Sequence, residues 1–273
     1  MPWSASDAPA KTVLITGASS GLGLAIARQF AAAGSRVALV ARDRARLEEA
    51  VKSLGVSAEK TLAIAADITV QKDVERVAAE VQQNWDQLDV LVNCAGKSSR
   101  GKIEDTTPEQ FQELWELNFL AAVRCTRALL PILLPNRGHV VNIGSLAAKS
   151  ASKYLGAYPA TKFPLAAYSQ QLRLELTDRG LHVLLVCPGP IAREDAGQRY
   201  NSQSSDLPDS AKKPGGGVKL KGIAPDELAK KILRAVERRQ AELIVPSKAR
   251  WLFAINQLWP SWGDWLTNKM TGG

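Results

Sequence analysis

Short runs of β-branched and aliphatic residues alternate along this chain with longer amphipathic stretches. The runs are Thr12–Thr16, Arg36–Ala41, Thr61–Ala66, Val90–Asn93, His139–Ile143, His182–Cys187 and Glu242–Val245. Between them lie Leu22–Ala33, Val74–Trp85, Phe111–Leu130, Ala166–Asp178 and Pro225–Arg239, with apolar positions at helical spacing. Alternation of this kind predicts βαβ units, hence an α/β fold with a mostly parallel sheet and helices on both faces. Several runs are apolar at nearly every position, as strands covered on both faces must be.

Two segments break the rhythm. Residues 189–222 are rich in Gly, Pro, Ser and Lys and include Pro214-Gly215-Gly216-Gly217. A loop this long inside a compact domain is functional or unstructured, and the expectation is a mobile lid between strands six and seven. Residues 247–273 hold Trp251, Trp259, Trp262 and Trp265, four of the seven tryptophans. Trp251, Ile255, Leu258, Trp262 and Trp265 follow 4-3-4-3 spacing, one helical face, while Pro260 argues against one straight helix. Three readings of this tail stay open beside ordinary core packing: a membrane interface, a cover over a pocket, and a contact with another subunit.

The 273 residues are 45% hydrophobic, enough to bury a core, and a single domain spanning residues 1–273 accommodates them. A net charge of +8 directs attention to anionic partners: a phosphorylated cofactor, an acidic membrane surface or nucleic acid. The last is disfavoured, because there is no zinc-finger spacing and no basic helix with interleaved aromatics. Cys94, Cys125 and Cys187 are odd in number, form no CxxC pair and sit in apolar stretches, as buried free thiols of a reducing compartment do. His139 and His182 lie far apart without clustered carboxylates, so no metal site is expected. Residues 1–11 lack the charged and apolar regions of a signal peptide, and no apolar run reaches the roughly 18 residues of a membrane span. A cytoplasmic placement is expected, with peripheral membrane contact through the tail as the open alternative.

The first run leads into Thr16-Gly17-Ala18-Ser19-Ser20-Gly21-Leu22-Gly23, and a helical pattern follows at once. Glycines there let the backbone turn tightly and approach a pyrophosphate, whose charge the helix N-terminus stabilises. Asn93-Cys94-Ala95-Gly96 follows the fourth run, Asn118 lies in the next helical stretch, and Ser145 ends the fifth run. After twelve intervening residues comes Tyr158-Pro159-Ala160-Thr161-Lys162, a YxxxK pattern, and Cys187-Pro188-Gly189-Pro190 closes the sixth run. In this order and spacing the motifs resemble those of the short-chain dehydrogenase/reductase family, over positions 12 to about 192. The resemblance implies a doubly wound Rossmann domain with its site at the carboxyl ends of the strands, and assembly as a homodimer or homotetramer.

The chemistry is legible from the residues themselves. Carbonyl reduction needs a proton donor beside the developing alkoxide, and a free tyrosine, with a pKa of about 10, is a poor one. A neighbouring ammonium favours the phenolate, and Tyr158 and Lys162, four apart, share a helical face. The resemblance implies the roles. Tyr158 protonates the carbonyl oxygen, and Lys162 tunes it and bonds the nicotinamide ribose. Ser145 bonds the substrate oxygen, and Asn118 supports a water that relays protons to Lys162. It also implies cofactor contacts from Gly17, Ser19, Ser20, Gly21, Leu22, Gly23, Asp67, Ile68, Asn93, Ala95, Gly96, Pro188, Gly189 and Ile191. A threonine commonly found after the family's Pro-Gly is missing here, where Ile191-Ala192-Arg193 stand. Pro164 requires that the catalytic helix either begin late, near Tyr158, or kink.

NAD-selective sites place an acid after strand two, but here that position holds Ala41, followed by Arg42 and then Asp43. Arg42 suits a 2′-phosphate, which favours NADP(H) over NAD(H); a water-facing arginine is the plainer alternative, and Asp43 is expected to cap the next helix. The predicted activity is hydride transfer between NADP(H) and a carbonyl or alcohol. The tail brings to mind lipophilic substrates such as steroid-like, retinoid-like or long-chain ketones, and Ser20 ranks an acyl-carrier-linked substrate lower. The competing reading is an NADPH-binding sensor or scaffold without turnover, for which Ser145 and Tyr158 would be superfluous.

Overall fold

The computed structural model describes residues 11–192, 207, 208, 211 and 220–270. Seven strands form one sheet: β1 (Thr12–Thr16), β2 (Arg36–Ala41), β3 (Thr61–Ala65), β4 (Val90–Asn93), β5 (His139–Ile143), β6 (His182–Pro188) and β7 (Glu242–Val245). They are parallel, in the order β3-β2-β1-β4-β5-β6-β7. The winding reverses between β1 and β4, which opens a crevice at the carboxyl ends of those strands.

The period of two along each strand explains the runs that are apolar throughout. Val13 and Ile15 of β1, Val37 and Leu39 of β2, and Leu184 and Val186 of β6 face one layer. That layer is formed by α1 (Gly21–Ala32), α2 (Arg44–Lys52) and α7 (Pro225–Glu237), with Phe30 and Ile232 at its centre. Leu14, Val40, Leu91 and Val183 face the opposite layer, built from α3 (Gln71–Trp85), α5 (Ala121–Leu133) and α6 (Tyr158–Leu176). The sheet is therefore doubly wound, with both faces covered.

Helix boundaries depart from the sequence pattern where polar chemistry intervenes. The stretch expected as one helix over Phe111–Leu130 divides into α4 (Pro108–Trp115), a π turn at Glu116–Leu120, and α5. Thr107 and Gln110 form a capping box at the start of α4. The π turn buries Asn118, a position the amphipathic pattern alone would leave ambiguous. α2 carries only two buried side chains, Leu47 and Ala50, too few for a legible stripe. α6 begins at Tyr158 with Pro159 in its first turn and runs on through Pro164. The helix does begin late, but Pro164 lies beyond its first turn; buried Leu165, Ser169 and Leu172 hold the helix on the far side of that break. The tail forms α8 (Ala249–Leu258) and α9 (Pro260–Met270), separated at Trp259 as Pro260 requires.

At the amino ends of the strands, His139 and His182 are register partners on β5 and β6, with their Nδ1 atoms 3.1 Å apart. Burial, and next the facing His182, push the His139 pKa down to about 3; burial, and next Arg239, push His182 down to about 4. Between those values and 6.5 the unfolded chain binds protons that the folded chain does not. Stability is therefore full above pH 6.5 and falls as the pH drops through this window, by up to about 1.4 kcal/mol per pH unit for each histidine. Urea denaturation at pH 6.5 and 4.5 should show this loss, and His182→Asn should flatten the slope. Equal slopes in both proteins would refute the assignment.

Candidate active site

A cleft of about 840 Å³ opens at the carboxyl ends of the strands. Its floor begins with the loop between β1 and α1. Gly17 has φ +68°, and a Cβ there would lie 2.8 Å from the Ala95 Cα. A Cβ on Gly23 would lie 2.3 Å from the Gly17 carbonyl oxygen. The two glycines thus let the first turn of α1 fold tightly against β1 and the β4 loop, leaving backbone rather than side chains at the surface of the cleft. Gly21, at φ +55°, has nothing within 4 Å of the place a Cβ would take. This is an open cradle at a helix N-terminus, and its shape fits a pyrophosphate.

Thr16 ties the loop after β4 to β1. Its Oγ1 accepts hydrogen bonds from the backbone N–H groups of Cys94 at 3.1 Å and Ala95 at 3.2 Å. This fixes Ala95 and Gly96 in the cleft wall. Asn93 turns the other way: its Nδ2 donates to Thr126 Oγ1 and Asn142 Oδ1, and its side chain stays out of the cleft. Asn142 in turn donates to Ser169 on α6, so Asn93 belongs to a buried polar chain linking β4, β5 and α6.

At the far end of β2 the cleft is lined by Ser19, Ser20, Arg42, Asp43 and Arg46. The Asp43 carboxylate accepts the Arg46 backbone N–H at 3.1 Å and pairs with the Arg46 guanidinium at 3.4 Å, capping α2. The one acid at this end is engaged by its own helix, and Arg42 and Arg46 bring two exposed guanidinium groups to the same wall. Arg46 is not among the residues the sequence singles out, although Asp43 marks the start of its helix. Asp67 and Ile68 line the cleft beyond β3, and the Asp67 carboxylate accepts from both the backbone N–H and the hydroxyl of Thr69.

Ser145, Tyr158 and Lys162 converge at the middle of the cleft. Ser145 stands two residues beyond β5, and its Oγ accepts the Ala147 N–H at 3.1 Å. Tyr158 opens α6, with the Lys162 Nζ 5.9 Å from its ring centroid. Lys162 is 5% exposed and donates to the Ile143 carbonyl at 2.9 Å. An ammonium has three donors, so this contact leaves capacity for a ligand in the cleft. Burial pushes the Lys162 pKa down to about 8. Cys94 and Cys187 lie nearby, but burial pushes each thiol up to about 12, so neither supplies a counter-charge at neutral pH.

Asn118 does not line the cleft. Its Nδ2 donates to the Lys97 carbonyl at 2.8 Å and Thr161 Oγ1 at 3.0 Å, and its Oδ1 accepts the Lys97 N–H at 2.9 Å. It clamps the loop after β4 onto α6 beside Lys162. A Cβ on Gly96 would come within 2.8 Å of the Asn118 Oδ1 and 3.7 Å of the Lys162 Nζ, so the glycine makes this approach possible.

The substrate end is walled by Pro188, Gly189 and Ile191, by Leu146 and Leu155, and by Leu252, Phe253, Thr267 and Met270 of the C-terminal helices. Ile191 is held by its bridge to Ile223. Lys97, Arg100, Ser150 and Ser152 add polar groups. The expected lid over residues 189–222 falls largely, and Arg193 wholly, outside the described residues. No cluster of three or more metal-ligating side chains occurs among the described residues.

Lys162 supplies its own test. Between pH 8 and 10.5 the folded chain gives up a proton that the unfolded chain keeps, so this residue's destabilising effect is complete below pH 8 and is relieved as pH rises. The stability of Lys162→Met relative to the unsubstituted protein should therefore fall by roughly 3 kcal/mol between pH 7 and pH 10.5. Parallel pH profiles in chemical denaturation would refute the buried cation.

Fold and cleft together define a nicotinamide-dependent oxidoreductase of the doubly wound class. Residues 11–204 match the family model for short chain dehydrogenases, and the chain belongs to that family. It is 35% identical over 264 residues to dehydrogenase/reductase SDR family member 7B of Danio rerio, covering 92% of this chain and 82% of that protein. It is 32% identical to the ketoacyl reductase HetN of a Nostoc strain, covering 92% and 86%. Among solved structures it resembles a short-chain dehydrogenase of Streptomyces avermitilis (TM-score 0.78, 31% identity, 97% and 99% covered). It also resembles the L-sorbose reductase of Gluconobacter frateurii in complex with NADPH and L-sorbose (TM-score 0.74, 30% identity, 86% and 94% covered).

Proposed function

We propose that this protein is a single-domain NADP(H)-dependent reductase or dehydrogenase that moves hydride between the cofactor and a lipophilic carbonyl or alcohol. The observation that carries the reading is one cleft joining an open glycine cradle, two guanidinium groups beyond β2, and Ser145, Tyr158 and Lys162. The nicotinamide, when bound, supplies or accepts the hydride. Gly17, Gly21 and Gly23 shape backbone for the pyrophosphate, with Ser19, Ser20 and Leu22 beside it. Arg42 and Arg46 pair with the 2′-phosphate. Asp67 and Ile68 flank the adenine, and Ala95, Gly96, Pro188, Gly189 and Ile191 flank the nicotinamide half.

In the reductive direction Ser145 donates a hydrogen bond to the substrate oxygen, and Tyr158 protonates it as the alkoxide develops. The Lys162 ammonium stabilises the tyrosinate left behind and bonds the ribose. Asn118 supports the proton relay by fixing the π turn and the Lys97 loop against Lys162, and Asn93 anchors the strand beneath. NADPH in the complex of the Gluconobacter relative supports the cofactor preference. The apolar wall of Leu146, Leu155, Leu252, Phe253 and Met270 supports a lipophilic substrate. The reading includes a homodimer or homotetramer, which sedimentation giving only monomer at micromolar concentration would rule out. It also includes a cytoplasmic location with peripheral membrane contact through the tail.

The test is oxidation of NADPH and, in parallel, NADH against a panel of ketones and aldehydes that includes long-chain members. Turnover with NADPH and a preference for apolar substrates are expected. Turnover with NADH alone would overturn the cofactor assignment. Activity confined to short polar substrates would overturn the substrate class.

A further inference from the structure

The outer side of the C-terminal helix pair carries Trp251, Leu258, Trp259, Trp262 and Trp265, each between 58% and 76% exposed. Large apolar side chains gathered in this way mark an interaction surface. They are held there by packing. Gly263 of α9 meets Asn256 of α8 so closely that a Cβ would lie 2.0 Å from the Asn256 Oδ1. Asn256 then donates to Ser150 at 2.7 Å, fastening the pair to the cleft wall. The inner side of the same two helices presents Leu252, Phe253, Thr267 and Met270 to the cleft. The indoles thus stand on the outer side of the helices that wall the substrate end.

Charge decides what covers them. From residue 246 to 270 the cations are Lys248, which lines the cleft, Arg250, which donates to the Glu242 carbonyl, and Lys269, against the single carboxylate of Asp264. The Lys269 Nζ lies 5.1 Å from the Trp265 ring, so cation and indole share one patch. A second copy docked face to face about a two-fold axis would set this net positive segment, with Lys269 in the patch, against itself. Anionic headgroups meet them with opposite charge, and the headgroup level is where tryptophan, an apolar ring with one N–H donor, partitions. No described helix is long and apolar enough to cross a membrane, so the contact is peripheral.

We propose that α8 and α9 dock on an anionic lipid bilayer, with the indoles at headgroup depth and the cleft mouth at the interface. An amphiphilic substrate then passes from the bilayer into the cleft beside Leu252 and Met270. The docking deepens the peripheral membrane contact included in the reading above and is argued from surface chemistry; the delivery step rests on the lipophilic-substrate part of that reading.

The experiment is flotation of the full chain with phosphatidylcholine vesicles containing about 30% phosphatidylserine, and with pure phosphatidylcholine. Flotation with the anionic vesicles and a blue shift of indole emission are expected. Trp251→Ser with Trp262→Ser and Trp265→Ser should reduce flotation at least about ten-fold while NADPH binding, the check on folding, persists. Arg250→Glu with Lys269→Glu, two exposed positions, should weaken binding to the anionic vesicles and supplies the test should the tryptophan variant not fold. No flotation of the unsubstituted protein, or equal flotation of these variants, overturns the docking. A dimer in light scattering that the tryptophan variant converts to monomer, with no flotation, assigns the face to a second copy and likewise overturns it. For delivery, the tryptophan variant should lose turnover of a vesicle-borne long-chain ketone and keep that of a short soluble one; equal loss of both overturns delivery. Turnover of neither ketone by the unsubstituted protein would reject the reaction and with it delivery, while flotation still decides docking.

Discussion

Replacing Tyr158 by Phe is expected to lower kcat by about 10³-fold while leaving NADPH affinity within about two-fold, because a positioned proton donor contributes on the order of 10²–10⁴ in rate. The ring is retained, so its packing at the start of α6 and beside Lys162 persists. Only the hydroxyl, and with it the proton, is removed. Stopped-flow measurement of NADPH oxidation, with cofactor affinity from fluorescence, separates the two effects. Loss of both together would mean that Tyr158 holds the fold or the cofactor rather than the proton. Loss of neither would remove Tyr158 from the mechanism and return the binding-only reading to the front.

The second large effect is expected at the opposite end of the cleft. Arg42→Ala combined with Arg46→Ala should weaken NADPH binding by about 10²-fold, since hydrogen bonds to charged groups contribute about 1.5–3 kcal/mol each. NADH binding should hold or improve. The Asp43 carboxylate, now paired with Arg46, would lose that partner and present an acceptor to a ribose hydroxyl. Both guanidinium groups are exposed, so the NADPH difference should shrink as salt rises. Isothermal titration with each cofactor in low and high salt reads this directly. Equal losses for NADPH and NADH would show that the arginines do not read the 2′-phosphate.

How much of this was legible in the chain follows from the range of each signal. β1, β2, β4, β5 and β7 appear with the limits that the apolar runs suggested, and β1, β4 and β5 are buried at every position, as strands covered on both faces are. Asp43 marks the start of α2, but its extent is not legible because it packs through two residues only. The π turn at Glu116–Leu120 was missed because the residue it inserts is paired by partners 21 and 43 positions away, Lys97 and Thr161. Asn93 and Asn118 were expected near the cofactor and water relay; the Asn93 side chain bonds to Thr126 and Asn142, out of the cleft, and Asn118 bonds to Lys97 of the cleft wall and to Thr161 beside Lys162. Asparagine side chains bond in any direction the packing offers, and local sequence does not say which.

The sequence by itself determined the layer architecture, the glycine cradle, the Tyr158–Lys162 pair and the capping role of Asp43. These are signalled by patterns among residues at most a few positions apart, where backbone geometry dictates which side chains share a face or a turn. Tertiary structure alone decided that Arg46 joins Arg42 at the cleft, that Lys162 is a buried cation with one backbone partner, and that the tail turns Leu252, Phe253, Thr267 and Met270 into the substrate end. It also decided which side of α8 and α9 faces outward. Each of these depends on segments far apart in the chain meeting in one place, and burial, the quantity that shifts a pKa or exposes an indole, exists only once they have met.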